Sequence, residues 1–152
     1  MPAVDAAAIA RSSVRVLGAA RWFWWIAGLS VINSVVEHTG GSFNFVVGLA
    51  GTQIVDAVFA PWLIVAVLCD ALAVTFFFFA GYFAQRGRLW AFALGGLVYA
   101  GDGAVFAWFG EWLPVAFHAY ALFFIFNGGR ELRELLRRAR TASTVAVSPA
   151  GV

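Results

Sequence analysis

Charged residues are scarce in this chain of 152 residues, since Asp, Glu, Lys and Arg together make up 12% of it. Soluble globular domains average about 25% charged residues, so the shortage excludes an ordinary soluble protein. Hydrophobic residues make up 62% of the chain, and its mean hydropathy is +0.86. The composition therefore predicts an integral membrane protein.

Cysteine is almost absent, because Cys69 is the single one in the sequence. One thiol excludes an intrachain disulfide, a CxxC redox motif and a zinc site built from cysteines. Lysine is missing altogether, and all ten basic residues are arginine. We interpret this bias, together with abundant alanine, glycine and valine, as typical of a high-GC bacterial genome. The predicted location is therefore the bacterial cytoplasmic (inner) membrane, with several passes.

Five apolar segments are separated by charged residues, glycine or proline. They are Trp22–Val36, Phe43–Ala60, Trp62–Ala84, Leu89–Gly110 and Trp112–Asn127. A helix needs about 20 residues to cross the apolar core of a bilayer. The first segment is therefore expected to begin near Val14, and the last to continue into the arginine-rich tail.

The arginines indicate how many of these segments cross the membrane. If all five crossed, the N-terminal arginines and the later arginine clusters would lie on opposite sides, against the positive-inside rule. If Phe43–Ala60 instead enters and leaves on the outer face, all ten arginines lie in the cytoplasm. The sequence thus predicts an all-α membrane protein with four transmembrane helices and both termini inside. One outer re-entrant or interfacial helix lies between the first and second spans.

The segment GTQIVDAVF, from Gly51 to Phe59, places Gln53 and Asp56 in otherwise apolar sequence. Backbone that does not span the membrane must be buried in protein or face water. A re-entrant path would therefore let both polar side chains line a pocket. The alternative is an amphipathic helix that lies on the membrane surface, with Asp56 in water.

Ionisable residues of three different segments reach one depth. At a rise of about 1.5 Å per residue, Asp70 and Asp102 lie roughly 12–13 Å below the outer boundary, and His118 roughly 9 Å below it. A carboxylate that faces lipid costs at least about 2.5–3.5 kcal/mol, so both aspartates are expected to point into the bundle. Asn33 reaches a similar depth, and Glu37 lies at the mouth.

We therefore predict an outward-facing buried polar pocket, formed by Asp70, Asp102 and His118, that binds a small or lipid-like ligand or a cation. Two alternatives stay open. One is a proton or cation pathway formed in an oligomer. The other is a structural or assembly subunit in which the carboxylates only bond neighbouring helices, for example at Tyr99 or Tyr120. The sequence leaves the metal, the cofactor and any enzymatic activity unassigned.

The inner half of the membrane is predicted to contain phenylalanine instead of carboxylates. The third segment contributes the run Phe76–Phe79, and the last contributes Phe123, Phe124 and Phe126. Such a region closes the cytoplasmic side of a single protomer. A ligand is therefore expected to arrive from the outer face or the outer leaflet.

Small residues on the fourth segment predict close helix crossing, either inside the protein or in a homo-oligomer. They are Gly95, Gly96, Gly101 and Gly103. The region 130–140 is predicted to be an amphipathic extension along anionic lipid headgroups, with Glu134 and Arg138 spaced for an i,i+4 pair. A nucleic-acid partner is disfavoured. We predict one polytopic helical domain over 1–140 and a disordered tail over 141–152.

Overall fold

A computed structural model of the chain describes residues 5–38 and 63–147. The described residues form five helices. These are α1 (Ala6–Ser12), α2 (Val14–His38), α3 (Leu63–Gln85), α4 (Leu89–Trp108) and α5 (Trp112–Val147). The predicted all-α architecture is confirmed, and α2 begins at Val14 as its span length requires. The predicted segment Phe43–Ala60 lies outside the described residues.

Three of the described helices are long and apolar enough to cross a membrane. The stretches are Val67–Gln85, Leu89–Trp108 and Trp112–Val145. Large apolar side chains on their outer faces are exposed, and Leu72 and Leu97 are each 70% exposed. Such an extensive apolar surface suits lipid and not water, so the chain is a membrane-embedded protein. The further predicted span, α2, has 25 residues but carries Arg15 and Arg21 and is not one of these three.

The four long helices form a bundle around one apolar core. α2 lies against α3 and α5, and α4 lies against the same two helices. Trp24 meets Phe78, and Ser34 meets Asp70, so α2 and α3 run antiparallel. The largest fully buried apolar side chains of the core are Tyr99, Phe23, Phe77, Ile26, Ile125 and Leu132.

Glycines allow the helices to approach each other closely. A Cβ atom added at Gly128 of α5 would lie 2.1 Å from the Cβ atom of Ala19 in α2. Added Cβ atoms at Gly95 and Gly103 would lie 2.6 Å from a ring atom of Phe23 and 3.0 Å from His118. Gly95 and Gly103 of α4 therefore serve helix crossings within the protomer. Their role in a homo-oligomer stays a prediction.

One end of the bundle collects the arginines, and we call it the arginine end. The turn between α3 and α4 carries two of them around Gly87, whose φ is 73°. An added Cβ atom at Gly87 would lie 2.2 Å from the carbonyl oxygen of Ala6, so α1 packs directly on this turn. Arg15 of α2 and Arg130 of α5 line one groove at the same end. The fold therefore brings arginines that are distant in sequence to one end.

The helix α5 continues beyond the apolar part of the bundle. Glu134 accepts hydrogen bonds from Arg137 at 2.9 and 2.8 Å and from Arg138 at 2.9 Å. The predicted i,i+4 pair is therefore present. Leu132 and Leu136 of this extension are buried against the core, which gives the extension one apolar face. The helix ends at Val147, and the disordered tail predicted over 141–152 stays a prediction.

Candidate functional site

The end of the bundle opposite the arginines holds buried polar side chains, and we call it the polar end. Asp70 and His118 lie near the starts of α3 and α5, whereas Asn33 and Asp102 lie near the ends of α2 and α4. Asn33, Asp70 and His118 are 8%, 5% and 2% exposed. Each of the four long helices therefore contributes a polar residue to the same end.

Asp102 and His118 join α4 to α5. The Nε2 atom of His118 lies 2.9 Å from the Oδ2 atom of Asp102. On the other side of the ring, Nδ1 lies 2.8 Å from the carbonyl oxygen of Pro114, one turn earlier in α5. Gly103 follows Asp102 and has no side chain, which lets the backbone of α4 approach the imidazole. The sequence thus places a carboxylate directly beside a histidine of the next helix.

The contacts of His118 show where its protons lie. A carbonyl oxygen only accepts hydrogen bonds, so Nδ1 carries a hydrogen and donates it to Pro114. The contact between Nε2 and Asp102 then holds one further proton, either on Nε2 or on the carboxyl oxygen. The pair has no net charge in either state, which lowers the cost of burying it. A shift of this proton between Nε2 and Oδ2 would therefore leave the charge of the pair unchanged.

Aromatic rings hold the imidazole of His118 in place. Tyr99 stacks on it, with ring centroids 4.1 Å apart and planes at 20°, and Phe106 contacts it at 5.4 Å. Tyr99 is fully buried, and its hydroxyl has no hydrogen-bond partner among the described residues. Buried hydroxyls normally have a partner. The hydroxyl of Tyr99 is thus an unused hydrogen-bond donor in the core.

Asp70 joins α3 to α2. Its Oδ2 atom accepts a hydrogen bond from the hydroxyl of Ser34. Its Oδ1 atom is buried and has no hydrogen-bond partner within residues 5–38 and 63–147. Leaving a buried acceptor unsatisfied costs about 1–3 kcal/mol, and more when the group is charged. A further hydrogen-bond donor or a cation beside Asp70 would remove this cost.

The sequence reasoning missed Ser34 as the partner of Asp70. A signal for it was present, because Ser30, Asn33 and Ser34 recur at i, i+3 and i+4 and so lie on one face of α2. Ser30 differs from Ser34 in its bonding, since its hydroxyl donates to a carbonyl oxygen of its own helix at 2.8 Å. Only the packing of α2 against α3 identifies Ser34 as the residue that reaches the carboxylate.

The two tyrosines considered as partners of the carboxylates differ in position. Tyr99 precedes Asp102 by three residues and lies on the same side of α4, where it stacks on His118. Tyr120 is 55% exposed, and its ring contacts Trp22 with centroids 5.6 Å apart. Tyr99 therefore belongs to the polar end, whereas Tyr120 belongs to the outer surface of α5.

The remaining predicted site residues are described only in part. Gln53 and Asp56 lie outside the described residues. Glu37 is in the last turn of α2, but its side chain is outside the described part of the chain. Asp70 contacts Ser34, whereas Asp102 contacts His118. Their membership of one shared cluster stays a prediction.

Metal ligands occur at most in pairs within the described ranges. No group of three or more His, Cys, Asp or Glu side chains in residues 5–38 and 63–147 could hold a metal ion. Asp102 and His118 form such a pair, with a contact of 2.9 Å. A metal ion at the polar end would therefore need further ligands from elsewhere in the chain or from water.

A row of buried rings continues from His118 toward the arginine end, and we call it the aromatic column. It consists of Tyr99, Phe77, Phe23 and Phe92, contributed by α2, α3 and α4. Successive ring centroids lie 6.0, 6.4 and 6.0 Å apart. Each of these side chains is at most 5% exposed. The column therefore fills the centre of the bundle below the polar residues.

Comparison with known proteins gives no functional assignment. No protein-family model, curated protein or solved structure matches the chain. The function is therefore argued from the geometry of the polar end.

Proposed function

We propose that the polar end is an outward-facing pocket that binds a small or lipid-like ligand or a cation, in a polytopic protein of the bacterial cytoplasmic membrane. The observation that carries the proposal is the buried carboxylate of Asp70, whose Oδ1 has no hydrogen-bond partner among the described residues. A bound cation or hydrogen-bond donor would satisfy this oxygen. The other proposed lining residues are Asn33, Glu37, Gln53, Asp56, Asp102 and His118.

The proposed topology has four transmembrane helices, with both termini in the cytoplasm. α2 is the fourth span, because its 25 residues extend over about 37 Å and exceed the roughly 30 Å bilayer core. The arginine end faces the cytoplasm under the positive-inside rule. Trp90 near the arginine end and Trp108 and Trp112 at the polar end are exposed, which suits two interfacial belts. Phe43–Ala60 forms the outer re-entrant or interfacial helix.

A cysteine in place of Arg88 is expected to be protected from an impermeant maleimide in intact cells, whereas a cysteine in place of Glu111 is expected to react. Both positions are exposed and lie outside the helices. Gly87 is a poor labelling position, because its positive φ and its contact with α1 exclude a side chain. The measurement uses a Cys69→Ala background, before and after permeabilisation. Reaction of Arg88→Cys in intact cells would contradict the topology.

Asp70→Asn is expected to abolish stabilisation by a ligand. The probes are sodium, potassium and tetramethylammonium chlorides, titrated into the purified protein at constant ionic strength, with Tm as the measured quantity. A ligand at roughly 100 times its Kd stabilises a folded protein by about 2.7 kcal/mol. At least one probe is therefore expected to raise the Tm of the wild type. The amide carries no charge to attract a cation, so the Tm of the variant should not respond.

Glu111→Gln is the matched control for Asp70→Asn. Glu111 is an exposed carboxylate at the same end of the bundle, so the substitution removes one negative charge without changing the buried site. This variant is expected to respond as the wild type does. A wild type that responds to none of the three probes would refute a cation site at the polar end, and an Asp70→Asn protein that responds equally would place the cation away from Asp70.

The Asp102–His118 pair supports a second candidate function, a proton or cation pathway formed in an oligomer. A site that holds one exchangeable proton between two helices is a component that a proton relay needs. The aromatic column opposes a path through one protomer, because a charge would cross a buried apolar region at a cost of several kcal/mol or more. Proton flux in reconstituted vesicles that disappears in Asp102→Asn would favour this pathway over the binding pocket.

The same contacts also support a third candidate, an assembly subunit whose polar residues only join helices. Asp70 bonds α3 to α2, and Asp102 bonds α4 to α5. Interhelical hydrogen bonds in membranes contribute about 0.6–2 kcal/mol each. In this case Asp70→Asn would lower stability modestly, and neither the variant nor the wild type would respond to the three probes.

A further inference from the structure

A groove lies between α2 and α5 at the arginine end, and we call it the α2–α5 groove. Its volume is ≈ 1210 Å³, above the roughly 300–1,000 Å³ of typical ligand pockets. It is lined by residues of α2 and α5 that lie toward the arginine end, and none of the polar-end residues Asn33, Asp70, Asp102 and His118 lines it. The groove is therefore a second site, independent of the proposed pocket.

Basic side chains dominate the rim of this groove. Four arginines and two glutamates line it, which gives a net charge of +2. One of the glutamates, Glu134, is already bonded to arginines of its own helix. Arg15, Arg130 and Arg133 are exposed and form no ion pair with another described residue. Three guanidinium groups, which match the geometry of a phosphate group, are thus available to an anion.

Aromatic and small residues form the floor of the groove. Trp22 stacks with Phe124, with ring centroids 5.6 Å apart and planes at 19°. At Gly18 the floor is open, because an added Cβ atom would meet no heavy atom within 4 Å. Phe124 precedes Arg130 by six residues and so lies about 9 Å further along α5, toward the polar end. The groove thus has a basic rim at its membrane-surface end and an apolar floor at membrane depth.

We infer that the α2–α5 groove binds one anionic phospholipid from the leaflet at the arginine end. Its phosphate contacts Arg15, Arg130 and Arg133, and an acyl chain lies on the floor formed by Trp22 and Phe124. The net positive rim favours an anionic headgroup over a zwitterionic one. The apolar floor lies at membrane depth, where its neighbours are acyl chains and not water, so it favours a lipid over a free phosphate.

The first test removes charge from the rim. Arg130→Gln/Arg133→Gln deletes two of the three available guanidinium groups. Its control is Arg88→Gln/Arg140→Gln, which deletes the same charge from two exposed arginines outside the groove. Native mass spectrometry of the purified protein with equimolar phosphatidylglycerol and phosphatidylcholine, matched in acyl chains, gives the ratio of the two bound lipids. The rim variant is expected to lose roughly tenfold in this ratio, and the control to keep the wild-type ratio.

The second test fills the floor. Gly18→Leu places a side chain in the groove, and Gly28→Leu is its control on the same helix. An added Cβ atom meets no heavy atom within 4 Å at either glycine, and both changes raise helix propensity equally. Gly18→Leu is expected to bind less of both lipids, whereas Gly28→Leu should bind as the wild type does. The two tests use different variants. If one variant misfolds, the other variant still tests the inference.

Three results would overturn the inference. The first is a wild type that binds phosphatidylglycerol and phosphatidylcholine equally. The second is an unchanged lipid ratio in Arg130→Gln/Arg133→Gln or unchanged lipid binding in Gly18→Leu, because either would place the lipid elsewhere. The third is displacement of the bound lipid by millimolar inorganic phosphate, because the groove would then recognise the anion without an acyl chain.

Discussion

Asp102→Leu is expected to lower the free energy of unfolding by about 1–3 kcal/mol, the cost of leaving the buried Nε2 atom of His118 without its hydrogen-bond partner. The imidazole of His118 is 2% exposed and is held by Tyr99 and Pro114. Its Nε2 atom would lose the carboxylate that now lies 2.9 Å away. Reversible unfolding of the purified protein in mixed micelles with increasing SDS gives the measurement.

Two further variants separate a lost hydrogen bond from a lost volume. Asp102→Asn is expected to stay within roughly 1–2 kcal/mol of the wild type, because its amide can donate to Nε2 of neutral His118 while Nδ1 keeps its bond to Pro114. The double variant Asp102→Leu/His118→Leu is expected to lose less stability than the sum of its two single variants. Strict additivity would show that the two side chains do not stabilise each other.

Gly128→Ala is expected to destabilise the bundle by roughly 1–3 kcal/mol, the usual cost of overpacking. The new methyl group would lie 2.1 Å from the Cβ atom of Ala19, and neither atom can turn away. This loss of stability is expected even though the helix propensity of alanine is about 1 kcal/mol more favourable than that of glycine. The loss therefore measures how closely α2 and α5 pack, and the same SDS unfolding experiment detects it.

The swapped variant Ala19→Gly/Gly128→Ala tests this explanation directly. It has the composition of the wild type, with the methyl group moved to the opposite helix, and is expected to recover most of the lost stability. Gly101→Ala is the control, since an added Cβ atom there meets no heavy atom within 4 Å. A swapped variant as unstable as Gly128→Ala would show that the contact with Ala19 is not the cause.

Much of the fold could be predicted from the sequence, because the apolar segments are long and their boundaries are charged or contain glycine. The start of α2 at Val14 follows from the length that a span requires. The contact of Asp102 with His118 agrees with a depth calculated from the helix rise alone. Such features depend on distance along one helix axis, which sequence spacing determines.

Other features depend on how each helix is rotated about its axis, and the sequence could not supply that rotation. Ser30, Asn33 and Ser34 share one polar face of α2, and only packing decides that Ser34 bonds Asp70. The contact of Gly128 with Ala19 joins the first and last long helices of the bundle. The sequence predicts close helix crossing at Gly95, Gly96, Gly101 and Gly103 of α4. The shortest distance from an added Cβ atom is instead at Gly128 of α5.

Asp70 and Asp102 each have a partner on a neighbouring long helix among the described residues, and this arrangement bears on how the protein assembles. Asp70 of α3 bonds to Ser34 of α2, and Asp102 of α4 bonds to His118 of α5. If the spans enter the membrane in chain order, Asp70 meets its partner when α3 joins α2, and Asp102 meets its partner when α5 joins α4. The cost of an unpaired carboxylate in lipid, at least about 2.5–3.5 kcal/mol, thus lasts no longer than the insertion of the partner helix. Joining the two helix pairs is then left to the aromatic column and to the contact of Gly128 with Ala19.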